Sequence, residues 1–520
     1  MVPQGLAPGN DPLPQSIAIQ APRCRGVVVA GVAEALAPLF AGLPDTGALE
    51  LVKRSTVRSV WRGSFGDVGV HLKVFRPATL SDRARDSLRG DRGTREARNL
   101  LHALAIDLPA AAPLACGHLD GDDGARSFLV TRSVRDAAPF AFDLPAPALV
   151  ATGRLLRRAH DRGLLPGDLH PGNVVIDAEL RPWLLDLSSL RHAGDPDLRQ
   201  RAAALAFFCQ ELDGGPQDHA AEPLLLAYLD TGRPLPEEFF ARLRSAARAV
   251  RSRALHAFGR RWSRPCRHTV VPTARRGEWR FHLHQVEDEV DRDELHAACR
   301  EFVASPTGEP LRQGRRGAVW LLDELAVKRR EQGAARHLFE AMYWLRFAGV
   351  PQPEPVALAT RAGTGYVFAR RLPMPSVADE LRRCVLDGAT IAAAARSLGD
   401  ATGRLHAHGL RNRDLKLENL VRDPVTAAVC MVDLDGVRRK RPGDARGQGA
   451  DLGRLLAAWR AAARPGGDAA AFAFAKAYLR ARERLLQPAP ARRLWRGAAQ
   501  RAREWRSAHP DGAPERGALS

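Results

Sequence analysis

One ordered set of residues occurs twice along this chain, and the repeat restricts the fold more than any other feature. The first half contains VHLKVF, TREARNLL, AHDRGLLPGDLHPGNVVID and WLLDLSSL; the second contains LAVKRR, HLFEAMYWL, LHAHGLRNRDLKLENLVRD and CMVDLDGV in the same order. When His160 is aligned with His406, Asp168 falls on Asp414 without a gap. The repeat therefore predicts two copies of one unit of roughly 230 to 250 residues, a usual size for a domain.

Each copy begins with a pattern typical of strands and continues with one typical of helices. From Leu51 to Phe75 the apolar residues partly alternate and glycines interrupt the run, which indicates a β-meander, and Ala318–Lys328 has the same character. We therefore predict an α+β fold of two tandem domains, each with a small β-rich N-terminal lobe and a larger helical C-terminal lobe. The predicted segments are an N-terminal extension over 1–45, domains over 46–264 and 265–490, and an Arg-rich tail over 491–520.

The composition argues against several classes of protein. Seven cysteines lie far apart without a CxxC pair, which argues against a disulfide framework and against a zinc site. The longest apolar stretch near the start, from Gly26 to Phe40, contains Glu34 and is too short to span a bilayer. We expect a cytoplasmic protein that is soluble or bound peripherally to the inner face of the cytoplasmic membrane.

The charge is strongly basic and comes almost wholly from arginine. The formal net charge is +19, yet only six residues are lysine. A basic surface suits anionic partners such as phosphorylated lipids. Because genome bias also enriches arginine, we expect no nucleic-acid partner. Where arginine has replaced most lysines, a surviving lysine indicates a place that needs a compact ammonium group, although chance explains any single case equally well.

Two of these lysines stand where a phosphate-binding cation is needed. Transfer of the γ-phosphoryl group of ATP requires a cation on the α- and β-phosphates, ligands for Mg²⁺ and a carboxylate that accepts the proton of the acceptor. Lys73 and Lys328 lie on the predicted third strand of each copy. We predict that Glu96 and Glu340, on the following helices, form the ion pairs that fix these lysines.

The loops GDLHPGN and RDLKLEN supply the remaining groups. Asp168 and Asp414 are the predicted catalytic bases, and Asn173 and Asn419 follow five residues later, at the spacing of a kinase catalytic loop in which the amide binds a metal ion. Glycine and proline around an isolated Asp and Asn are typical of an active-site loop.

An aspartate ends the apolar strand that follows each loop. Asp186 in WLLD and Asp433 in CMVD are therefore predicted to bind the Mg²⁺ that bridges the phosphates. Together with the lysines and loops, these residues indicate two protein-kinase-like domains with ATP and Mg²⁺ as cofactors.

Three features distinguish the copies from each other or from protein kinases. Lys416, two residues after Asp414, is predicted to reach the transferred phosphate, whereas the first copy has His170 there. Asp451 is a candidate to support the catalytic loop of the second copy, which is our hypothesis for the main catalyst. Neither copy has a GxGxxG loop, so basic and hydroxyl side chains are expected to replace some of its backbone contacts with phosphate.

The chain resembles the lipopolysaccharide kinase family, bacterial enzymes of protein-kinase-like fold that phosphorylate Kdo or heptose. The resemblance lies in TVRSVWRGSFGDVGVHLKVFRP, LLPGDLHPGNVVID and LLDLSSLR of the first copy, and in RRGAVWLLDELAVKRR, GRLHAHGLRNRDLKLENLV and MVDLDGVRR of the second. It implies an ATP-dependent kinase at the cytoplasmic membrane face that acts on a sugar hydroxyl of lipopolysaccharide or another anionic glycolipid. It also implies a catalytic and a metal-binding role for Asp414 and Asp433, and for Asp168 and Asp186.

Two other functions remain open from the sequence. NRDLKLEN is closer to a serine/threonine protein kinase than to the usual loop of sugar kinases, but no APE-type motif follows Asp433. A pair of pseudokinase domains that acts as a scaffold would retain the fold without chemistry, although the complete Lys, Asp, Asn and Asp sets argue against it.

Overall fold

The structure is a computed structural model of the whole chain, which divides into two compact units, Met1–Ala247 and Arg248–Ser520. It describes residues 13–485, except for residues 22, 44–46, 48, 56–57, 77–89, 121–125, 193, 213–214, 233, 267, 286–288, 316, 384–385, 424–425, 427, 441–443 and 463–466. The described residues form both helices and strands. The tail predicted over 491–520 lies outside the described residues.

A seven-stranded antiparallel sheet opens the first unit. Its strands are β1 (Ser16–Ala21), β2 (Cys24–Val29), β3 (Glu50–Arg54), β4 (Arg58–Phe65), β5 (Val68–Phe75), β6 (Pro113–Leu119) and β7 (Arg126–Arg132). Their order across the sheet is β1-β2-β6-β7-β5-β4-β3. Helix α1 (Ala33–Gly42) packs Leu36 and Phe40 into a core with Trp61 and Leu72 of the sheet.

The structure extends this domain toward the N-terminus of the chain. The sequence predicts an extension over 1–45, but β1 and β2 lie within the sheet and β2 pairs with β6. Gly26 and Gly117 face each other in that pair, and a Cβ atom on Gly26 would lie 2.2 Å from the carbonyl oxygen of Cys116. The strands approach closely because both residues lack a side chain, so the predicted start at residue 46 is too late.

The rest of the first unit is mainly helical. Its helices are α2 (Arg92–Ala105), α3 (Ala146–Asp161), α4 (Leu198–Phe208), α5 (Glu222–Asp230) and α6 (Glu238–Gly259), and its short strands are β8 (Ala138–Pro139), β9 (Leu164–Pro166), β10 (Val174–Ile176), β11 (Pro182–Leu184) and β12 (Leu190–His192). Helix α6 crosses the division between the units, which lies before the predicted boundary at residues 264 and 265.

The second unit repeats this order of elements. Its strands are β13 (Thr269–Val270), β14 (Arg280–His284), β15 (Arg312–Gly314), β16 (Gly317–Leu321), β17 (Leu325–Glu331), β18 (Pro355–Arg361), β19 (Thr364–Arg370), β20 (Leu410–Asn412), β21 (Leu420–Arg422), β22 (Val429–Met431) and β23 (Val437–Arg439). Its helices are α7 (Glu289–Ala304), α8 (Gln332–Phe347), α9 (Val377–Arg382), α10 (Gly388–Ala407), α11 (Ala445–Ala462) and α12 (Gly467–Leu485). The sheet order β13-β14-β18-β19-β17-β16-β15 is that of the first sheet, strand for strand. None of the helices in the described ranges is long and apolar enough to cross a membrane.

Close packing of helices depends on glycine at equivalent positions of the two units. Gly153 of α3 lies against α5, and a Cβ atom there would lie 2.1 Å from the carbonyl oxygen of Leu224. Gly399 of α10 meets Phe474 of α12 in the same way, at 2.4 Å. The backbones at these crossings leave no room for a methyl group.

Replacing Gly153 with alanine is therefore expected to destabilise the first unit by about 1–3 kcal/mol, because the added methyl group overpacks the crossing of α3 and α5. Hydrogen exchange of α5 at increasing urea concentration measures this locally, which matters because two units need not unfold together. Gly42→Ala is the matched control, since no described atom beyond its chain neighbours and its own helix backbone lies within 4 Å of its added Cβ. Equal exchange in both variants would contradict the packing argument.

Candidate active sites

A buried ion pair joins strand β5 of the first sheet to helix α2. Lys73 of β5 places its Nζ 2.5 Å from Oε1 of Glu96 and donates to the carbonyl oxygen of Leu185 at 2.9 Å. The exposed fractions of the two charged side chains are 9% and 0%. Asp91 caps α2 by accepting a hydrogen bond from the Thr94 N–H, and the buried face of this helix carries Glu96. The predicted contact between Lys73 and Glu96 is thus present.

Nearby charges and burial have opposite effects on the pKa values of the two acids in this site. Burial raises the pKa of Glu96 to about 7, although Lys73 acts to lower it. Burial also acts to raise the pKa of Asp186, but Lys73 and Arg58 outweigh it and hold that pKa below its ordinary value. Arg58 of β4 forms an ion pair with Asp186.

The loop that contains Asp168, the predicted base, lies beside Asp186 at one end of the short β10–β11 ladder. Strand β10 pairs with β11, and the Leu185 N–H donates to the Asn173 carbonyl oxygen at 3.0 Å, so Asn173 and Asp186 share that end. The Asn173 side-chain amide donates to the carbonyl oxygen of Asp168 at 2.8 Å. The Asp168 side chain is exposed, where an acceptor could reach it.

The residues at this end fit a magnesium ion chemically. Asp186 offers a carboxylate, and Asn173 uses its amide nitrogen within the loop, which leaves its amide oxygen as an acceptor. Mg²⁺ prefers such oxygen ligands and keeps several water or phosphate ligands. The described segments contain no group of three or more His, Cys, Asp or Glu residues that could hold a metal ion. A magnesium ion here would therefore depend on phosphate and water as well.

The corresponding lysine of the second unit has different partners. Lys328 of β17 lies 2.9 Å from Oδ1 of Asp433 and 3.4 Å from Oδ2 of Asp435. Arg330 lies 2.8 Å from Asp435. Within the described part of the chain, no ion pair joins Lys328 to Glu340, so this predicted contact is wrong.

The rotation of helix α8 about its axis explains why Glu340 does not meet Lys328. The Leu108 N–H donates to the carbonyl oxygen of Ala103 after α2, and the Val350 N–H donates to Leu345 in the same way after α8. Counting back two helical turns from Ala103 gives Glu96, and the same count from Leu345 gives Leu338. Leu338 is 3% exposed and lies in the hydrophobic core. Glu340 instead takes the place of Arg98, an exposed residue.

The catalytic loop of the second unit is held by more hydrogen bonds. The Asn419 side-chain amide donates at 2.9 Å to both the carbonyl oxygen and Oδ2 of Asp414. The Asp414 N–H donates to the side chain of Asn412 at 3.0 Å, and Lys416 Nζ lies 3.7 Å from Asp414. The Val432 N–H donates to the Asn419 carbonyl oxygen at 3.0 Å, which brings Asn419 beside Asp433.

Asp451 supports this loop through a side chain. Its two carboxylate oxygens each accept a hydrogen bond of 2.9 Å from Arg411, three residues before Asp414. Burial acts to raise the pKa of Asp451, but Arg411 and His406 lower it below its ordinary value. Asp451 itself is fully buried, and Arg411 is 16% exposed.

The first unit has a different ion pair beneath its loop. Asp197 and Asp444 both precede a helix and accept backbone hydrogen bonds in its first turn, which places Ala204 where Asp451 lies. In the first unit, Arg201 of α4 forms an ion pair with Asp161. Each unit thus neutralises a largely buried arginine with an acid at an unrelated position.

His160 and His406 are buried residues that pack against tyrosines. His160 Nδ1 lies 2.8 Å from the Tyr228 hydroxyl, and His406 Nδ1 lies 3.0 Å from the Tyr478 hydroxyl. All four side chains are buried, and burial lowers the pKa of His160 to about 3. These histidines fasten the helix before each loop to a later helix.

Sequence reasoning missed the arginines of both sites. Arg58 contacts Asp186, a predicted metal ligand, and Arg330 contacts Asp435, two residues after the predicted ligand of the second unit. Among so many arginines, neither has a distinctive local pattern. The alternation of β4 gives one signal, since it places Arg58 and Val60 on the same face and Val60 pairs with Lys73.

No protein-family model and no curated protein matches the chain. Solved structures similar to part of it include the bifunctional kinase-methyltransferase WbdD, at 17% identity over 37% of this chain and 47% of that chain, with a TM-score of 0.24. Another is the Mycobacterium tuberculosis PknI kinase domain, at 21% identity over 39% of this chain and 96% of that chain, with a TM-score of 0.25. The chain thus spans about half the length of WbdD. Proteins with kinase domains are among its structural matches, but matches this weak indicate nothing about activity.

Proposed function

We propose that the chain is an ATP- and Mg²⁺-dependent phosphotransferase whose acceptor is a sugar hydroxyl of an anionic glycolipid such as the lipopolysaccharide core. The observation that carries this proposal is the buried contact between Lys73 and Glu96, which lies beside Asp186. A buried lysine held by a carboxylate, next to an acidic metal ligand, is the arrangement that phosphoryl transfer requires.

Each group in the first unit has a task in this reaction. Glu96 holds Lys73 in place, and the Lys73 ammonium binds the phosphates. Asp186 and Asn173 would hold the Mg²⁺, which supplies charge neutralisation on the phosphate oxygens when bound. Asp168 accepts the proton of the acceptor hydroxyl.

In the second unit, Leu338 occupies the position that corresponds to Glu96 in the first unit. We therefore place the transfer in the first unit. This reverses the preference for the second copy that Lys416 and Asp451 suggested. The second unit retains a well-ordered loop around Asp414, so nucleotide binding there without turnover is the matching expectation.

The net charge of +19 supports an anionic acceptor. The test measures ATP turnover by the full chain with lipopolysaccharide, with its delipidated core oligosaccharide and with a mixture of unstructured proteins. Stimulation by lipopolysaccharide and loss of that stimulation in Asp168→Asn, but not in Asp195→Asn at an exposed site, is the expected result. ATP binding without phosphorylation of any acceptor would reject the phosphotransferase.

One observation favours a second candidate, a serine/threonine protein kinase. Lys416 lies 3.7 Å from Asp414, where it could contact both the transferred phosphate and the base. Under this alternative the protein mixture is phosphorylated, lipopolysaccharide is not, and Asp414→Asn abolishes the reaction. If neither unit binds Mg-ATP, the scaffold remains.

The pKa of Glu96 gives the proposed site a pH dependence. With a folded-state pKa of about 7, raised from 4.5, the neutral acid stabilises the fold at low pH, and that contribution is lost as the pH rises through 7. The ionised carboxylate of Glu96, which holds Lys73, is the main form only above pH 7. We expect Mg-ATP affinity of the first unit to rise about tenfold between pH 6 and pH 8.

Calorimetric titration with Mg-ATP at several pH values checks this expectation. Glu96→Gln should remove the pH dependence that the protein adds to that of the nucleotide. Glu340→Gln makes the same change on the helix of the second unit and should leave it intact. A pH dependence that persists in Glu96→Gln would show that another group is responsible.

A further inference from the structure

Strands β3 and β4 of the first sheet pair as far as the residues that flank their connection. Arg54 pairs with Ser59, and the Ser55 N–H donates to the carbonyl oxygen of Arg58 at 2.8 Å. Glycine-rich loops of kinases cover the phosphates. The sequence that connects β3 to β4, RSTVR over 54–58, contains no glycine.

Arg58 is the first residue of β4, and its side chain reaches the site. Its guanidinium contacts the Asp186 carboxylate, and the exposed fractions of the two side chains are 27% and 12%. Burial acts to lower the pKa of Arg58, but Asp186, Glu96 and Asp168 raise it above its ordinary value. Arg58 is therefore a second fixed cation in the site, on the same sheet face as Lys73.

Asp186 cannot serve Arg58 and a metal ion equally. A nucleotide with its Mg²⁺ brings one positive ion toward the carboxylate and several negative oxygens toward the guanidinium. An exchange of partners keeps every charge compensated, since Asp186 passes to the cation and Arg58 to the phosphate. Guanidinium groups bind phosphate through two parallel hydrogen bonds, which suits this second role.

We propose that Arg58 is a phosphate-binding residue of the first unit, which is held by Asp186 in the free protein and transfers to the terminal phosphates of the nucleotide on binding. It takes the place of the missing backbone contacts of a glycine-rich loop. This inference rests on the proposed function, because it requires a nucleotide in the first unit.

The second unit has no arginine at the position that corresponds to Arg58. Val60 pairs with Lys73 and Val319 pairs with Lys328, so the residue two positions earlier is Arg58 in one unit and Gly317 in the other. Gly317 has no side chain to offer, and Arg330 contacts Asp435 from a different strand. The proposed phosphate contact is thus specific to the first unit.

The test isolates the first unit within the full chain. Lys328→Met and Asp433→Asn together remove both members of an ion pair in the second unit, so that neither charge is left unpaired. In this background we compare Arg58→Met with Arg62→Met, a matched control on the same strand whose arginine pairs with exposed Glu50. Calorimetry gives the dissociation constants for Mg-ATP and for adenosine.

We expect Arg58→Met to weaken Mg-ATP binding about 10- to 100-fold, as for loss of a charged hydrogen bond. Adenosine binding should change less than about twofold, because adenosine has no phosphate, and Arg62→Met should resemble the parent. Equal or tighter Mg-ATP binding by Arg58→Met would instead mean that Arg58 only blocks Asp186. Equal losses for Mg-ATP and adenosine would assign Arg58 a structural role. A parent protein that binds no Mg-ATP at its first site would reject the proposed function itself, and this inference with it.

Discussion

Replacing Lys73 with methionine is expected to lower ATP turnover about 100- to 1,000-fold, the range for loss of one fixed charge that stabilises a transition state. Lys73 is the cation that Glu96 holds beside Asp186, at 9% exposure. Because so little of this site is exposed to solvent, water cannot replace the interaction of Lys73 with phosphate. Methionine keeps much of the volume of the side chain, so the sheet should remain packed.

Two other lysines provide matched controls for this measurement. Lys53→Met changes an exposed residue of β3 and should leave steady-state turnover unchanged. Lys328→Met removes the lysine of the second unit, whose ion-pair partners among the described residues are Asp433 and Asp435, and should cost much less than Lys73→Met. If Lys328→Met alone abolished turnover, the transfer would belong to the second unit.

The largest expected effect on stability is that of Asp451→Ala. It leaves the Arg411 guanidinium, which is 16% exposed, without the two hydrogen bonds of 2.9 Å that neutralise it. Breaking one partner of a buried ion pair costs about 3–5 kcal/mol. We expect this loss in the free energy of unfolding of the second unit, measured by hydrogen exchange of α10 and α11 in urea.

An exposed pair in the same unit serves as the control. Asp400 pairs with Arg404 one turn away on α10, and both are about one-third exposed, at 41% and 30%. Asp400→Ala should therefore cost only about 0.3–0.5 kcal/mol. Similar losses in the two variants would mean that the existing contact of Arg411 with Asp444, at 3.3 Å, is enough to neutralise it.

The sequence predicted the parts of the sites that depend on short, local patterns. Lys73 lies on a strand because alternation marks β5, and Asn173 lies beside Asp186 because the GDLHPGN loop leads into a short ladder with the strand that ends at Asp186. In both cases the residues that determine the geometry are close to the functional residue in sequence. The internal repeat then carried the same interpretation to Lys328 and Asp433.

The errors arise where geometry depends on long-range packing. The sequence predicts Glu340 as the partner of Lys328 because it is an acid on the correct helix. The packing of α8 on its sheet instead places Leu338, two residues earlier, at the position that corresponds to Glu96. Strand β2 is joined to the sheet through β6, where Gly26 pairs with Gly117, and no local pattern indicates a partner so far along the chain. Arg58 contacts Asp186 across a still larger separation of 128 residues.

The different ion pairs beneath the two loops have a consequence for how this chain can vary. A change from the second arrangement to the first by single substitutions would pass through a protein in which one of Arg411 and Asp451 has lost its two hydrogen bonds of 2.9 Å. The remaining residue would keep only longer contacts, such as 3.3 Å to Asp444 for Arg411 or 3.4 Å to Arg454 for Asp451. That intermediate is less stable than either arrangement, so selection should act against it. Natural variants of this chain are therefore expected to retain or lose Arg411 and Asp451 together.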